Sequence, residues 1–246
     1  MIGIVFIIPF FYFFYKKKMN QSLIKKLLFI FFLGGLQGAL GWFMVKSGLQ
    51  DNPHVSHYRL AAHLFTAFLT YAFTLWVALD FTSRSSSLHL EKGVLIKILS
   101  RTILIFVLLQ IIYGAFVAGL KAGLIYNTFP KMGNLWIPDG IWLNELGIKN
   151  FSENLITVQF IHRAIAWMLL ILIAVLFFTA RKFPLNNSLR FGINFLSFML
   201  LIQFTLGDFT LLFSVPVFLG VLHQIGGFLF FTSAVFVNHR VKKNVE

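Results

Sequence analysis

Apolar runs of about 20 residues, separated by short basic stretches, organise this chain. Residues 27–45, 58–79, 99–120, 155–180, 191–213 and 217–237 each form a run of transmembrane length. A further run over residues 1–15 ends at Lys16, Lys17 and Lys18. At about 1.5 Å per residue it reaches about 22 Å, short of a hydrocarbon core of about 30 Å. It therefore reads as the second part of a helix whose beginning is missing. The pattern predicts an all-α, polytopic membrane protein. Of the connectors, 46–57 is polar and broken by Pro53, and a tight Ser214-Val215-Pro216 turn joins the last two spans. Residues 81–97 are polar and basic, with Arg84, Lys92 and Lys97. The expected organisation is an incomplete N-terminal bundle over 1–82, a cytoplasmic linker over 83–98, a four-helix bundle over 99–240 and a tail over 241–246. Residues 121–154 are too many for a simple connector, and long loops of this kind are usually functional. The loop's Trp136 and Trp142 suit a membrane interface.

Composition agrees. The 246 residues are 58% hydrophobic and 12% charged, with a mean hydropathy of +0.83. A soluble domain carries about twice that charge. The net charge of +13 lies mostly in short connectors, which is a topology signal and not a polyanion site, so nucleic acid is excluded as a partner. Lys16–Lys18, Lys25, Lys26, Arg84, Lys92, Lys97, Arg101, Arg181, Lys182, Arg190, Arg240, Lys242 and Lys243 fall on one side, the cytoplasmic one. Lys46, Arg59, Lys121, Lys131, Lys149 and Arg163 fall on the other. This bias puts the C-terminus inside the cell. Seven segments then put the N-terminus outside with no signal to carry it there, and one further helix repairs this. The absence of cysteine excludes disulfides, thiolate ligands and cysteine nucleophiles.

Candidate chemistry lies in ionisable residues placed inside apolar spans, where each is a functional-site hypothesis. Val158–Trp167 carries His162 and Arg163, and His63 and His223 sit at nearly the same depth in other spans. His162 and His223 both lie about 10 Å below the same boundary. Packing against a neighbouring backbone explains a single histidine of this kind. Two neutral imidazoles facing each other across a bundle also suit axial ligation of a haem iron. Arg163 beside His162, and Arg59 one turn from His63, suit haem propionates, and snorkelling accounts for either arginine equally well. Gly220, Gly226 and Gly227 thin the wall near His223. His54, His57, His89 and His239 fall in loops or the tail and read as solvated. Zinc lacks a cysteine or a second close carboxylate. Asp208 is an isolated acid in an apolar span, with no assigned role.

The halves resemble each other weakly. Gln37 with nearby glycines, Gln110 with Gly114, and Gln203 with Gly207 mark the entering helices, and His63 and His223 lie on the last helix of each half. Aligning Lys16-Lys17 with Arg181-Lys182 puts the counterpart of His162 before Met1. The repeat thus predicts a fourth histidine that this chain does not contain.

Several motifs match one family. Gly41–Leu49, Val55–Leu64, Gly119–Gly123 with Tyr126–Pro130, Val158–Arg163 and His223-Gln224 closely resemble the haem A synthase family of the alphaproteobacterial and mitochondrial type. The resemblance covers the chain from its first residue to the tail. It implies eight helices in two pseudo-symmetric four-helix bundles in the bacterial inner membrane. It implies haem b in the C-terminal bundle, with His162 and His223 as axial ligands; Arg163 beside His162 and Arg59 beside His63 stay candidate haem-binding residues on their charge. The N-terminal bundle would receive haem O, with His63 as its catalytic-side histidine. The implied reaction oxidises the C8 methyl of haem O to a formyl group with water-derived oxygen, giving haem A for cytochrome oxidase. The implied partners are haem O synthase, cytochrome oxidase assembly factors, membrane lipid and a second copy of the chain. Family members also carry a first helix, then a glutamate and a His-Arg pair, without counterpart here. The expectation is an N-terminally truncated product with little conversion of haem O by itself. The alternative is a non-catalytic, haem b-carrying electron-transfer or assembly protein. A transporter ranks third, since no pair of broken helices meets at mid-membrane.

Overall fold

The computed structural model describes residues 2–48, 56–82 and 93–245. Apart from one isolated Met132–Leu135 bridge, the regular structure among the described residues is helical, and the chain divides into two compact units, 1–82 and 83–246. Six helices are long and apolar enough to cross a membrane, so the chain is an all-α, multi-pass membrane protein. Pro53, His54, Arg84, His89, Lys92 and most of the expected 83–98 linker lie outside the described residues.

The first unit holds α1 (Ile2–Tyr15), α2 (Gln21–Gly48) and α3 (His57–Thr82). Asn20 caps α2, its Oδ1 accepting from the Leu23 N–H at 2.8 Å. Helices α2 and α3 pack along each other, with Ile30, Leu33, Ala61, Thr66 and Val77 buried. Lys26 and Asp80 pair at 2.8 Å near one end.

The second unit holds α4 (Val94–Gly119), the short α5 (Asn150–Glu153), α6 (Leu155–Arg181), α7 (Asn187–Leu212) and α8 (Val217–Val245). The four long helices close a ring in the order α4, α6, α7, α8, so α6 and α8 stand at opposite corners. Helices α2, α4 and α7 start several residues earlier than hydropathy predicts. A hydropathy window stops at the first lysines and arginines, whereas a helix continues through the headgroup layer.

Packing is uneven along this ring. One half is close-packed around Ile96, Ile103, Ile173, Leu176, Ile193, Leu196, Phe231 and Ala234. In the other half no residue between 201 and 225 is buried. Gln110, Gly114, Gln203 and Gly207 stand in that half, where isoleucines, leucines and a phenylalanine fill the first, and its α7–α8 side is the less closely packed.

Two expectations are corrected. His239 is not solvated: it is 1% exposed, and the expected tail over 241–246 continues α8 as far as Val245. Asn238 causes this, donating to the Ser100 and Ala234 carbonyls at 2.9 Å each and holding the end of α8 against α4. His57 is likewise half-buried, at the first residue of α3 with its ring 4.0 Å from that of Tyr58.

Candidate functional site

The less closely packed half of the second unit is closed at its end by the long loop, which α6 holds down along its first turns. Asn154 caps α6, its Oδ1 accepting from Ile156 and Thr157, while its Nδ2 donates to Gly140 O and to Asn150 Oδ1, each at 2.9 Å. Further along α6, the Thr157 hydroxyl donates to the Ile141 carbonyl, and Gln159 Nε2 donates to Tyr126 O at 3.0 Å. Arg163 Nη2 donates to the carbonyls of Thr128 (2.7 Å), Pro130 (3.2 Å) and Lys131 (3.2 Å). Asn127 ties the same loop to α7 through the Leu211 carbonyl at 2.8 Å. Phe129 descends between α6 and α7, stacked on Trp167 with ring centroids 5.8 Å apart and edge-on to Phe204 at 5.9 Å.

The loop has its own fully buried organiser. Asn150 accepts from the Leu143 N–H at 2.9 Å and donates to the carbonyls of Leu143 and Gly147 at 2.7 and 2.8 Å. Alanine there removes three part-buried hydrogen bonds. Asn150→Ala is expected to cost about 3 kcal/mol, since each such bond contributes roughly 0.5–1.5 kcal/mol. Thermal unfolding in detergent, together with protease cleavage within 133–149, measures it.

Beneath the loop lie the histidines. His162, on α6, faces α4: its Nε2 is 3.2 Å from Gln110 Nε2, and a Cβ on Gly114 would lie 3.4 Å from its Cε1. His223, on α8, faces α7 in the same way. Its Nε2 is 3.4 Å from Gln203 Nε2, and a Cβ on Gly207 would lie 3.0 Å from its Cε1. The two imidazoles, carried by opposite corners of the ring, are within electrostatic reach of each other. Gly226 and Gly227 do not thin the wall at His223 itself; they pack against the Gln203 amide, where a Cβ on Gly226 would overlap Oε1. Gly220 faces open space.

The first unit repeats the arrangement. Gln37 Nε2, on α2, is 3.2 Å from His63 Nε2, and a Cβ on Gly41 would lie 3.0 Å from His63 Cε1. Arg59, one turn before His63, lies over the Phe43 ring at 4.8 Å. In all three places the histidine Nδ1 and the glutamine Oε1 are buried without a hydrogen-bond partner.

His162, His223 and Arg163 thus share one half of one unit, and His63 and Arg59 share the other unit. Arg163 Nη2 is engaged by the loop, whereas Nη1 is buried without a partner. Asp208, on α7, is within electrostatic reach of Arg163. No cluster of three or more His, Cys, Asp or Glu side chains forms among the described residues. The arrangement offers two imidazoles, each seated against a glutamine amide, and one spare guanidinium nitrogen to a group that takes nitrogen ligands and carries an acid. Sequence reasoning missed the contacts of the three glutamines, although the repeated Gln-x-x-x-Gly spacing was visible. It also missed Gln159 and Phe129, for which no periodic signal exists.

The profile of the cytochrome oxidase assembly protein family matches residues 1–235. A haem A synthase of Nitrosospira multiformis is 47% identical over 244 residues, covering 99% of this chain and 68% of that protein. One of Flavobacterium johnsoniae is 45% identical over 99% of this chain and 71% of its own length. A haem A synthase of Arabidopsis thaliana is 40% identical over 98% of this chain and 55% of its own length.

Proposed function

The chain belongs to the haem A synthases within the cytochrome oxidase assembly proteins, and we propose that it oxidises the C8 methyl of haem O to a formyl group. The observation that carries this reading is the less closely packed half-bundle with His162 and His223 on opposite corners. Their donor set fits a haem iron: two imidazoles, no competing thiolate, and ring-facing glycines where larger side chains would fill the space. Bound haem b would supply a one-electron redox centre. His162 and His223 would hold it, and Arg163 would offer its spare nitrogen to a carboxylate, which guanidinium favours. The loop over 121–154 keeps water from that end, with Phe129 as its plug.

His63 stands on the substrate side, with Arg59 one turn away for a second acidic group. Substrate haem O would come from a haem O synthase, and the product would pass to cytochrome oxidase assembly factors. The charge bias supports an inner-membrane placement with the C-terminus in the cytoplasm. Expression in a host lacking its own synthase tests the reaction. Haem A is expected in membranes from the natural chain, in contrast to the little conversion expected from the repeat, and a loss of at least about 100-fold, or about 2.7 kcal/mol, for His63→Ala. Equal haem A from both overturns the role of His63, and none from either overturns the activity.

A further inference from the structure

We infer that Gln110 with Gly114, and Gln203 with Gly207, are positioning residues that seat His162 and His223 before haem arrives; Gln37 with Gly41 form the same seat for His63. This rests on the haem-ligand reading above. In each seat a glutamine and a glycine are four residues apart on one helix, hence on one face, and the histidine comes from the helix packed against it. The glycine leaves the space the ring occupies. The glutamine amide stands at Nε2, the nitrogen that would meet the iron. With the amide N–H donating, Nε2 is the acceptor nitrogen and Nδ1 bears the proton, so the lone pair a metal needs is already on Nε2.

Packing alone does not account for this. Each seat leaves two buried polar atoms unsatisfied, the histidine Nδ1 and the glutamine Oε1. Such groups are uncommon and each needs an explanation. The same pair of orphans recurs in three seats on six different helices. A placeholder explains all three: the amide keeps the ring nitrogen satisfied and aimed until the iron displaces it. Gly226 and Gly227 extend the device, because they give Gln203 the room to stand there.

The test uses the full chain, purified without haem and reconstituted with ferric haem b. Uptake is followed by absorbance, and the bound state by the largest g value of the low-spin ferric signal, which reports the angle between the two imidazole planes. Gly207→Ala is expected to shift that g value, since its Cβ would meet the His223 ring at 3.0 Å. Gly114→Ala, whose Cβ would stand 3.4 Å from the His162 ring, is expected to shift it less. Gly220→Ala, on the helix of His223 but facing open space, leaves it unchanged. Gln110→Leu and Gln203→Leu are each expected to speed haem uptake about fivefold, the equivalent of one hydrogen bond no longer broken, and to broaden the g signal. Should Gly207→Ala fail to fold, the leucine variants decide the matter. Natural uptake rates and g values in the variants, with normal haem binding by the unaltered chain, overturn the seats but leave the ligands standing. No low-spin haem in the unaltered chain overturns the ligand reading itself.

Discussion

Alanine at either His162 or His223 is expected to convert a low-spin haem in the full chain to a high-spin one, and alanine at both to remove it. Each imidazole comes from a different helix at opposite corners of the ring, so one cannot serve for the other. No nearby substitute exists among the described residues. His239 is on α8 with His223, but sixteen residues along, about 24 Å at helical rise, in the close-packed half. His63 belongs to the other unit. Absorption and electron paramagnetic resonance spectra of the purified variants measure the effect. Survival of the bis-histidine spectrum in the double variant would contradict the assignment.

Arg163→Ala is expected to lower stability by about 3 kcal/mol and to expose residues 126–133 to protease. Three carbonyls converge on one guanidinium nitrogen, and hydrogen bonds to charged groups contribute roughly 1.5–3 kcal/mol each, with incomplete additivity. The same residue helps to keep Phe129 between Trp167 and Phe204, so its loss also loosens the plug. Arg163→Lys keeps the charge but cannot reproduce the planar fork, and is expected to recover less than half of the loss. Thermal unfolding and limited proteolysis of the two variants in detergent separate charge from geometry. An unchanged cleavage pattern in Arg163→Ala would show that the other tethers hold the loop alone.

Six spans, and the matching depth of His162 and His223, were legible because a bilayer imposes a length on every helix and a cost on every buried ionisable group. The helix ends were not, since Lys25, Lys97 and Arg190 interrupt the apolar signal without interrupting the helix. His239 misled for a related reason. Basic neighbours gave it the look of a tail, while its burial depends on a hydrogen bond from Asn238 to Ser100, more than a hundred residues away. Gln110 and Gln203 could be seen as repeat markers, but a spacing along one helix does not say which residue of another helix it meets. Arg163 was read as a partner for an acid from its charge; that its Nη2 instead grips three loop carbonyls follows from backbone geometry that no residue pattern encodes. The order inside residues 121–154 was hidden likewise, because asparagines at 127, 150 and 154 act mostly on backbone groups rather than on side chains.

The uneven packing of the second unit separates two events that many haem proteins combine. With its apolar contacts concentrated around Ile103, Ile173, Leu196 and Phe231, the bundle has what it needs to assemble in the bilayer before any cargo reaches the opposite half. Occupancy can then vary with supply while the amount of folded protein stays constant. Were haem bound as proposed, the chain would be suited to fold before it and to stand as a receptor whose occupancy follows supply.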